Sequence, residues 1–296
     1  MEERAMRTLS RTATGVVAAA LALVPGSAAA ANGAVDDDEP NVRCGWTIIE
    51  DVYLTGDLNC PSGDGLVVDA AGVTVHLNGY TISGTRAGTD DAGAPLQVGI
   101  RVLAPDVVVR GGTLRGFDAG VLVDPAGDAE ADPAPSVEVE SAHLIDDGYG
   151  VAAVVAGSAT VEHSTFREGG YAGAAIEGGA VALDRSSVEG AALLALNGGR
   201  VLLDRTLVRG GGSGSAITCS QAFVTVDRSV VSRYDVGANL FQCRGSDVRR
   251  SLFLGNTFHI QTERIPDEVV TVSCTAFIGG GPAPDLPHGD CEPPEE

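Results

Sequence analysis

The sequence contains no lysine, a single tryptophan (Trp46) and aromatic side chains at only 4% of its 296 positions. A hydrophobic core must therefore be built from valine, leucine, isoleucine and alanine, which the 44% hydrophobic content supplies. Past residue 31, no apolar run approaches the ~20 residues that a membrane-spanning helix needs. The six cysteines include no C-x-x-C pair, so the sequence offers no support for a zinc site or for thioredoxin-type redox chemistry.

Charge of one sign dominates. Forty acidic residues face 19 basic ones, all of them arginine, and the formal net charge is −21. Nucleic acids and anionic lipid would repel such a chain, so we expect neither as a partner. A polyanionic substrate would need a cation to mediate its binding. The 40 glycines disfavour long helices and favour short strands joined by tight turns.

The N-terminus has the pattern of an export signal. Arg4, Arg7 and Arg11 precede an apolar stretch over residues 14–24, and a small-residue run, 28–31, follows Pro25-Gly26. This pattern predicts a signal peptide at 1–31 and a secreted, extracellular protein, with a short membrane-retained anchor as the alternative. Residues 32–43 include four consecutive acids (36–39) and are predicted to be a disordered linker.

Six cysteines, an even number, remain after the predicted signal peptide. In an oxidising compartment such a set indicates three disulfide bonds. The simplest assignment pairs neighbours in the sequence, as Cys44–Cys60, Cys219–Cys243 and Cys274–Cys291.

An internal repeat runs through most of the chain. Blocks such as Val181-Ala-Leu-Asp-Arg-Ser-Ser-Val and Val201-Leu-Leu-Asp-Arg-Thr-Leu-Val recur every 20 to 24 residues, apart from two insertions near 85–97 and 125–135. We take the residue before the final apolar position as the anchor of each block. The anchors are Thr81, Thr113, His143, Thr165, Ser187, Leu207, Val230, Leu252 and Ala276.

The columns of this repeat indicate strands. The positions four before and one after each anchor are apolar in all 18 cases, where the composition would give about eight. Each unit holds about three short strands and cannot bury its own apolar side, whereas units stacked ~4.8 Å apart would bury it continuously. We therefore predict an all-β fold, a single-stranded parallel β-helix of nine to ten coils over residues 44–281. A Pro-rich tail, 282–296, would be pinned by the last disulfide bond.

Residues of the first two predicted coils resemble a known family. The segments Cys44-Gly-Trp-Thr-Ile, Leu54-Thr-Gly-Asp-Leu-Asn-Cys60 and Leu77-Asn-Gly-Tyr-Thr-Ile-Ser-Gly84 are similar to the first coils of secreted bacterial right-handed parallel β-helix proteins of the pectin-lyase-like superfamily. The resemblance implies a right-handed coil. It leaves the activity open, because the superfamily mixes lyases, hydrolases, epimerases, adhesins and accessory proteins. Of the polygalacturonase motifs, only the Asp-Asp pair occurs here, at 90–91 and 146–147.

One group of charged residues could carry chemistry. Asp69 and Arg101 both lie 12 positions before their anchors, so we expect them to be neighbours on adjacent coils, with Asp124 as a third member. Hydrolysis of a glycosidic bond needs two carboxyl groups, and a lyase needs a base, for which Arg101 is the candidate. The insertions would add the acids Asp90 and Asp91 for substrate binding, together with Asp128, Glu130 and Asp132. The structural alternative is an ion pair under solvated loops.

A second pattern is a column of acids beside a column of arginines. Glu140, Glu162, Asp184, Asp204 and Asp227 lie three before their anchors, and the next column holds His163, Arg185, Arg205 and Arg228. We interpret them as an exposed ion-pair ladder, with a cation or sugar groove as the functional alternative. The histidines are scattered, and no metal site is expected.

The sequence thus favours a secreted, monomeric β-helix protein that binds extracellular or cell-wall polysaccharide. A polysaccharide lyase or glycoside hydrolase, and a non-catalytic structural or adhesive surface protein, remain as alternatives. No cofactor is expected, with Ca²⁺ as the single exception kept open.

Overall fold

The structure is a computed structural model and describes residues 42–88, 97–125, 133–262, 270–281 and 288–289. The predicted signal peptide, nearly all of the predicted linker, the acids Asp90, Asp91, Asp128, Glu130 and Asp132, and Cys291 lie outside these residues. Within them the chain forms strands and turns and contains no helix, so it also presents no helix long and apolar enough to cross a membrane.

Twenty-nine strands, numbered in chain order, form three parallel sheets. The first sheet is made of β1 (Trp46–Ile48), β4 (Leu66–Val68), β7 (Val98–Val102), β9 (Ala119–Val123), β11 (Tyr149–Val154), β14 (Tyr171–Ile176), β17 (Ala192–Leu196), β20 (Ser215–Ser220), β23 (Val236–Phe241) and β26 (Phe258–Thr262).

The second sheet contains the strand that follows each of these in the chain, and β29, which pairs with β27 beyond the tenth coil. Its members are β2 (Val52–Tyr53), β5 (Thr74–His76), the first halves of β8 (Val107–Arg115) and β10 (Ser136–Ile145), β12 (Ser158–Glu162), β15 (Ala180–Asp184), β18 (Arg200–Asp204), β21 (Phe223–Asp227), β24 (Asp247–Arg249), β27 (Thr271–Ser273) and β29 (His288–Gly289).

The third sheet completes each coil. It consists of β3 (Leu58–Asn59), β6 (Thr81–Ser83), the second halves of β8 and β10, β13 (Thr165–Arg167), β16 (Ser187–Glu189), β19 (Leu207–Arg209), β22 (Val230–Ser232), β25 (Leu252–Asn256) and β28 (Ala276–Gly280). Strands β8 and β10 run without interruption through the corner between the second and third sheets. Ten coils result, coil 1 being β1 to β3 and coil 10 being β26 to β28.

The core is one continuous stack of aliphatic side chains. Val161, Leu183, Leu203 and Val226 are register partners on four consecutive coils and are fully buried. The predicted parallel β-helix and its coil number are therefore confirmed, and each sequence anchor pairs with the next. Glycine is required where coils approach closely, since a Cβ at Gly99 would lie 2.5 Å from the carbonyl oxygen of Gly120.

One column prediction was wrong in coil 2. Counting back from Thr81 aligns Leu77 with Val109, but the structure pairs Val75 with Val109. The corner of coil 2 contains two extra residues, Asn78 and Gly79, both with positive φ. Every position before this corner is consequently shifted by two relative to coil 3.

The disulfide bonds agree with the prediction where they are described. Cys44–Cys60 closes the first coil, and Cys219–Cys243 joins coils 8 and 9. Cys274 is also disulfide-bonded.

Candidate functional site

Arg101 lies at the centre of an ion-pair cluster on the outward side of the first sheet. Its Nε donates to Asp64 Oδ2 at 2.7 Å, and its Nη1 lies 3.4 Å from Asp124 Oδ2. Asp64 also accepts from the backbone N–H of Val98 at 2.9 Å. Carboxylates from coils 2 and 4 thus hold the guanidinium of coil 3 from both sides. We call Asp64, Arg101 and Asp124 the Arg101 cluster.

Asp69 does not occupy the predicted place beside Arg101. The residue in register with Arg101 is Val67, because of the two extra corner residues in coil 2. Asp69 is exposed, and its backbone N–H bonds to the carbonyl of Ile48. The carboxylate that sequence reasoning missed is Asp64, which a correct count of the coil 2 corner would have brought near Arg101. Asp124 lies where it was expected.

Buried polar side chains fix both ends of the first insertion. Asp118 accepts from the backbone N–H groups of Ala87 (3.1 Å), Gly88 (2.7 Å) and Gln97 (3.0 Å). The Gln97 side chain in turn accepts from Thr85 N–H and donates to the Cys60 carbonyl, each at 2.8 Å. The two stems therefore leave the solenoid from one rigid point beside coils 2 and 3. The internal repeat gave no indication of this role for Asp118.

A groove of about 370 Å³ runs across the outward side of the second sheet in coils 3 to 5. It combines carboxylates and hydroxyls with an aliphatic floor, and its lining residues are Asp106, Val107, Val108, Ser136, Val137, Glu138, Ser158 and Thr160. At its edge Ser136 Oγ accepts from the Asp106 N–H at 2.8 Å, which fixes the corner. We call this the corner groove, and its volume is in the range of small-ligand sites.

Glu138 is the titratable group with a perturbed pKa in the corner groove. Burial raises the pKa of its carboxyl, and the nearby charges of Glu140 and Glu162 and a hydrogen bond with Glu140 raise it further. Glu138 and Glu140 alternate along β10 and face outward together. Arg110 lies 3.9 Å from Glu140. Glu138 consequently keeps its proton to a higher pH than an ordinary glutamate.

The Arg101 cluster and the corner groove lie on the two sides of one corner of the solenoid. Asp124 ends the first-sheet part of coil 4, and Ser136 begins its second-sheet part, with the second insertion between them. The Ser136 N–H bonds to the Ala104 carbonyl of coil 3. The sequence placed acids near this insertion but did not reveal the groove, which depends on three coils at once.

Two tyrosines lie further along the first sheet. Tyr149 and Tyr171 are register partners, and their rings stack with centroids 5.6 Å apart. They pack against a second apolar cluster on the outward side of the sheet, built from Val98, Ala119, Leu122, Ala152, Ala174 and Leu194. Burial raises the pKa of Tyr149. An aromatic pair of this kind was not foreseen from the strand pattern.

The acid and arginine columns form a continuous ladder at the corner between the second and third sheets. Arg205 bridges Asp184 (3.1 Å) and Asp204 (2.9 Å), and Arg228 continues from Asp204 at 2.9 Å. The ladder ends at Asp227, which is buried, and Arg250, Arg249 and Arg228 hold the pKa of that carboxyl below its usual range against the effect of burial. Each arginine of this ladder is paired with an acid of the same ladder.

No group of three or more histidine, cysteine or carboxylate side chains in the described part of the chain is arranged to hold a metal ion. His143 bonds to Thr165 Oγ1 at 2.6 Å, and His76 stacks on Tyr53. His259 is buried against Phe277, and burial lowers its pKa.

No family model and no curated protein matches the chain. Among solved structures, the chain is similar to the A-module of the mannuronan C-5 epimerase AlgE4 of Azotobacter vinelandii, with 13% identity and a TM-score of 0.31. The match covers 83% of this chain and 89% of the module.

Proposed function

We propose that this protein is an exported β-helix that binds saccharide chains at the corner of coils 3 to 5, across the Arg101 cluster and the corner groove. The observation that carries the proposal is the groove itself, an open cavity of about 370 Å³ on the outward side of the second sheet. Two disulfide bonds support an oxidising, extracellular compartment.

The chemistry of the corner suits sugars. Fixed carboxylates accept hydrogen bonds from hydroxyl groups, and Ser136, Ser158 and Thr160 both donate and accept. The aliphatic floor can cover the C–H face of a ring. Because acids outnumber arginines at this corner, the favoured ligands are neutral or amino-sugar chains, and anionic chains would be repelled.

The test is binding of the exported protein to a panel of neutral, amino-sugar and uronate glycans, with and without Ca²⁺. We expect a neutral or amino-sugar ligand to bind and Thr160→Trp, which fills the groove, to weaken binding at least tenfold. Thr225→Trp is the matched control, since Thr225 lies in the same outward row of the second sheet on coil 8. Absence of any glycan ligand, or equal binding by the Thr160→Trp protein, would reject the proposal.

Glu138 supports a second candidate function, hydrolysis of the bound chain. Its raised pKa suits a general acid. Glu140 is hydrogen-bonded to Glu138, whereas the two carboxyl groups of a glycosidase lie about 5 Å or more apart, so the second carboxyl group would have to be that of Asp106, which also lines the groove. Arg101 is held between two carboxylates, which opposes its use as a lyase base. If hydrolysis occurs, Glu138→Gln should abolish the release of new reducing ends and leave glycan binding within about threefold of wild type. If the wild-type protein binds a glycan but releases no reducing ends, hydrolysis is rejected and binding remains the proposed function.

A further inference from the structure

The outward side of the third sheet changes character along the solenoid. In coils 2, 3, 5 and 6 its first row presents hydroxyls, from Thr81, Thr113, Thr165 and Ser187. From coil 7 onward the first row is aliphatic, with Leu207, Val230, Leu252 and Ala276. The second row holds Arg209 and Ser232 in coils 7 and 8 and becomes aliphatic in coils 9 and 10, with Leu254 and Ile278. The aliphatic residues are register partners or neighbours on coils ~4.8 Å apart, so they form one contiguous surface. We call it the aliphatic strip.

The strip is open to solvent. Leu207, Leu254 and Ile278 are 43%, 41% and 53% exposed. A single exposed leucine needs no explanation, but aligned aliphatic side chains on successive coils are typical of interaction sites.

Arginines border the strip on both sides. Arg205, Arg228 and Arg250 lie at the corner before it, with side chains 40–46% exposed even though each is bound to the ladder. On the other side, Arg209 occupies the second row in coil 7 and Arg233 follows that row in coil 8. Both are exposed and form no ion pair with any acid among the residues that the structure describes. Residues 200–278, which span the strip, contain nine arginines and seven acids, a net charge of +2 in a chain that carries −21.

We propose that the aliphatic strip docks an acidic, amphipathic polypeptide segment of a partner protein, whose aliphatic side chains cover the strip and whose carboxylates meet the flanking arginines. Charge complementarity selects this occupant. A second copy seated strip to strip would bring arginine edges against arginine edges, and the strip lacks the carboxylates and hydroxyls that a saccharide needs. The aliphatic strip lies on a different sheet from the corner groove. Peptide binding at the strip can therefore be tested independently of saccharide binding.

The experiment measures fluorescence anisotropy of labelled 12-residue peptides with the exported protein. We expect an alternating Leu–Glu peptide to bind, and its affinity to fall as salt rises. Leu254→Ser should weaken binding about tenfold, the loss expected for one buried leucine. The Arg209→Gln, Arg233→Gln double variant should weaken binding and flatten the salt dependence. Leu202→Ser (exposed, second sheet) and Arg115→Gln (exposed, third sheet, coil 3) are the matched controls and should bind as wild type.

Three results would overturn the proposal. Equal binding of an alternating Ser–Glu peptide would mean that charge alone is recognised, and equal binding of a Leu–Arg peptide would mean that the arginines play no part. A concentration-dependent dimer in sedimentation that Leu254→Ser abolishes would assign the strip to a second copy. Circular dichroism checks the fold of each variant, and Ile278→Ser, in the last coil, replaces Leu254→Ser if that protein does not fold.

Discussion

At the scale of single residues, burial decides which acids behave unusually. Asp147 lies in the turn that enters coil 5, and its Oδ1 accepts from the Phe117 N–H at 2.8 Å. Its Oδ2 is buried and has no hydrogen-bond partner among the described residues. Burial raises the pKa of this carboxyl well above its usual range, and the neighbouring charge of Asp146 adds to the effect. The folded state therefore favours the protonated form.

This raised pKa predicts a pH-dependent gain from Asp147→Asn. The pKa of this carboxyl is higher in the folded state than in the unfolded state, where it is near ~4. The neutral carboxyl therefore contributes stability at low pH. This contribution is lost as pH rises from ~4 through the raised pKa, by up to about 1.4 kcal/mol per pH unit. The isosteric amide cannot ionise, so in urea unfolding the variant should become progressively more stable than wild type as pH rises from ~4 through the raised folded-state pKa.

The control is Asp146→Asn, which removes the same charge from the adjacent, half-exposed side chain. It leaves the buried Asp147 carboxyl in place, so most of the loss of stability with rising pH should remain. A parallel pH profile for wild type and Asp147→Asn would mean that the carboxyl ionises normally in the folded protein.

Residue-scale contacts also show where sequence reasoning stops. The alternation of buried and outward residues in β4 and β7 was predicted correctly, and Leu66, Val68, Ile100 and Val102 are fully buried. The partner of Arg101 was wrong, because it depends on how many residues the corner after β5 contains. Alternation is a local property of a strand, whereas a contact between coils sums the lengths of every turn between the two residues.

At the scale of elements, hydroxyl side chains complete the hydrogen bonding of the corner between the second and third sheets. The preceding residue in each corner has positive φ, as at Arg185, Arg205 and Arg228, and interrupts the strand. The next residue carries a hydroxyl on six successive coils, at Ser164, Ser186, Thr206, Ser229, Ser251 and Thr275. Each donates to the carbonyl two residues before it. Five backbone N–H groups of the preceding coils are satisfied by these hydroxyls.

Adjacent serines provide a matched test of this ladder. Ser186 Oγ accepts from the Ser164 N–H at 3.2 Å and donates to the Asp184 carbonyl at 2.9 Å, whereas Ser187 points outward. Ser186→Ala should cost about 1–3 kcal/mol of unfolding free energy, because it leaves a buried N–H without a partner. Ser187→Ala should stay within about 0.5 kcal/mol of wild type in the same denaturant titration. If Ser186→Ala lowers the unfolding free energy no more than Ser187→Ala does, water can replace the buried hydroxyl.

At the scale of the whole molecule, the net charge of −21 opposes the compact state, while the ion-pair ladder supports it. Repulsion between separated surface acids acts over the Debye length, about 30 Å at 0.01 M salt and about 8 Å at 0.15 M. Ladder pairs in direct contact near the partly buried Asp184, Asp204 and Asp227 are screened less. Added salt should therefore relieve more repulsion than attraction.

We expect the thermal midpoint at neutral pH to rise by a few °C as the NaCl concentration is raised from about 0.01 to 0.5 M. This rise corresponds to roughly 1 kcal/mol or more of added stability. Differential scanning calorimetry measures it, with sucrose at matched osmolality as the control for non-ionic solute effects. A thermal midpoint that falls steadily with added NaCl would instead mean that attraction within the ladder outweighs repulsion between the surface acids.

The sequence by itself determined the coil, because an apolar side that recurs every 20 to 24 residues can be buried only by its neighbours in a stack. It also determined the Cys219–Cys243 pairing and the ion-pair ladder, which follow from the repeat period, and the Cys44–Cys60 pairing, which follows from the order of the cysteines in the sequence. The tertiary structure alone decided that Asp64 joins Arg101, that three coils shape the corner groove, and that an aliphatic strip lies between two arginine edges. These features depend on the cumulative lengths of corners and insertions and on burial by distant residues, and neither quantity is contained in a local pattern.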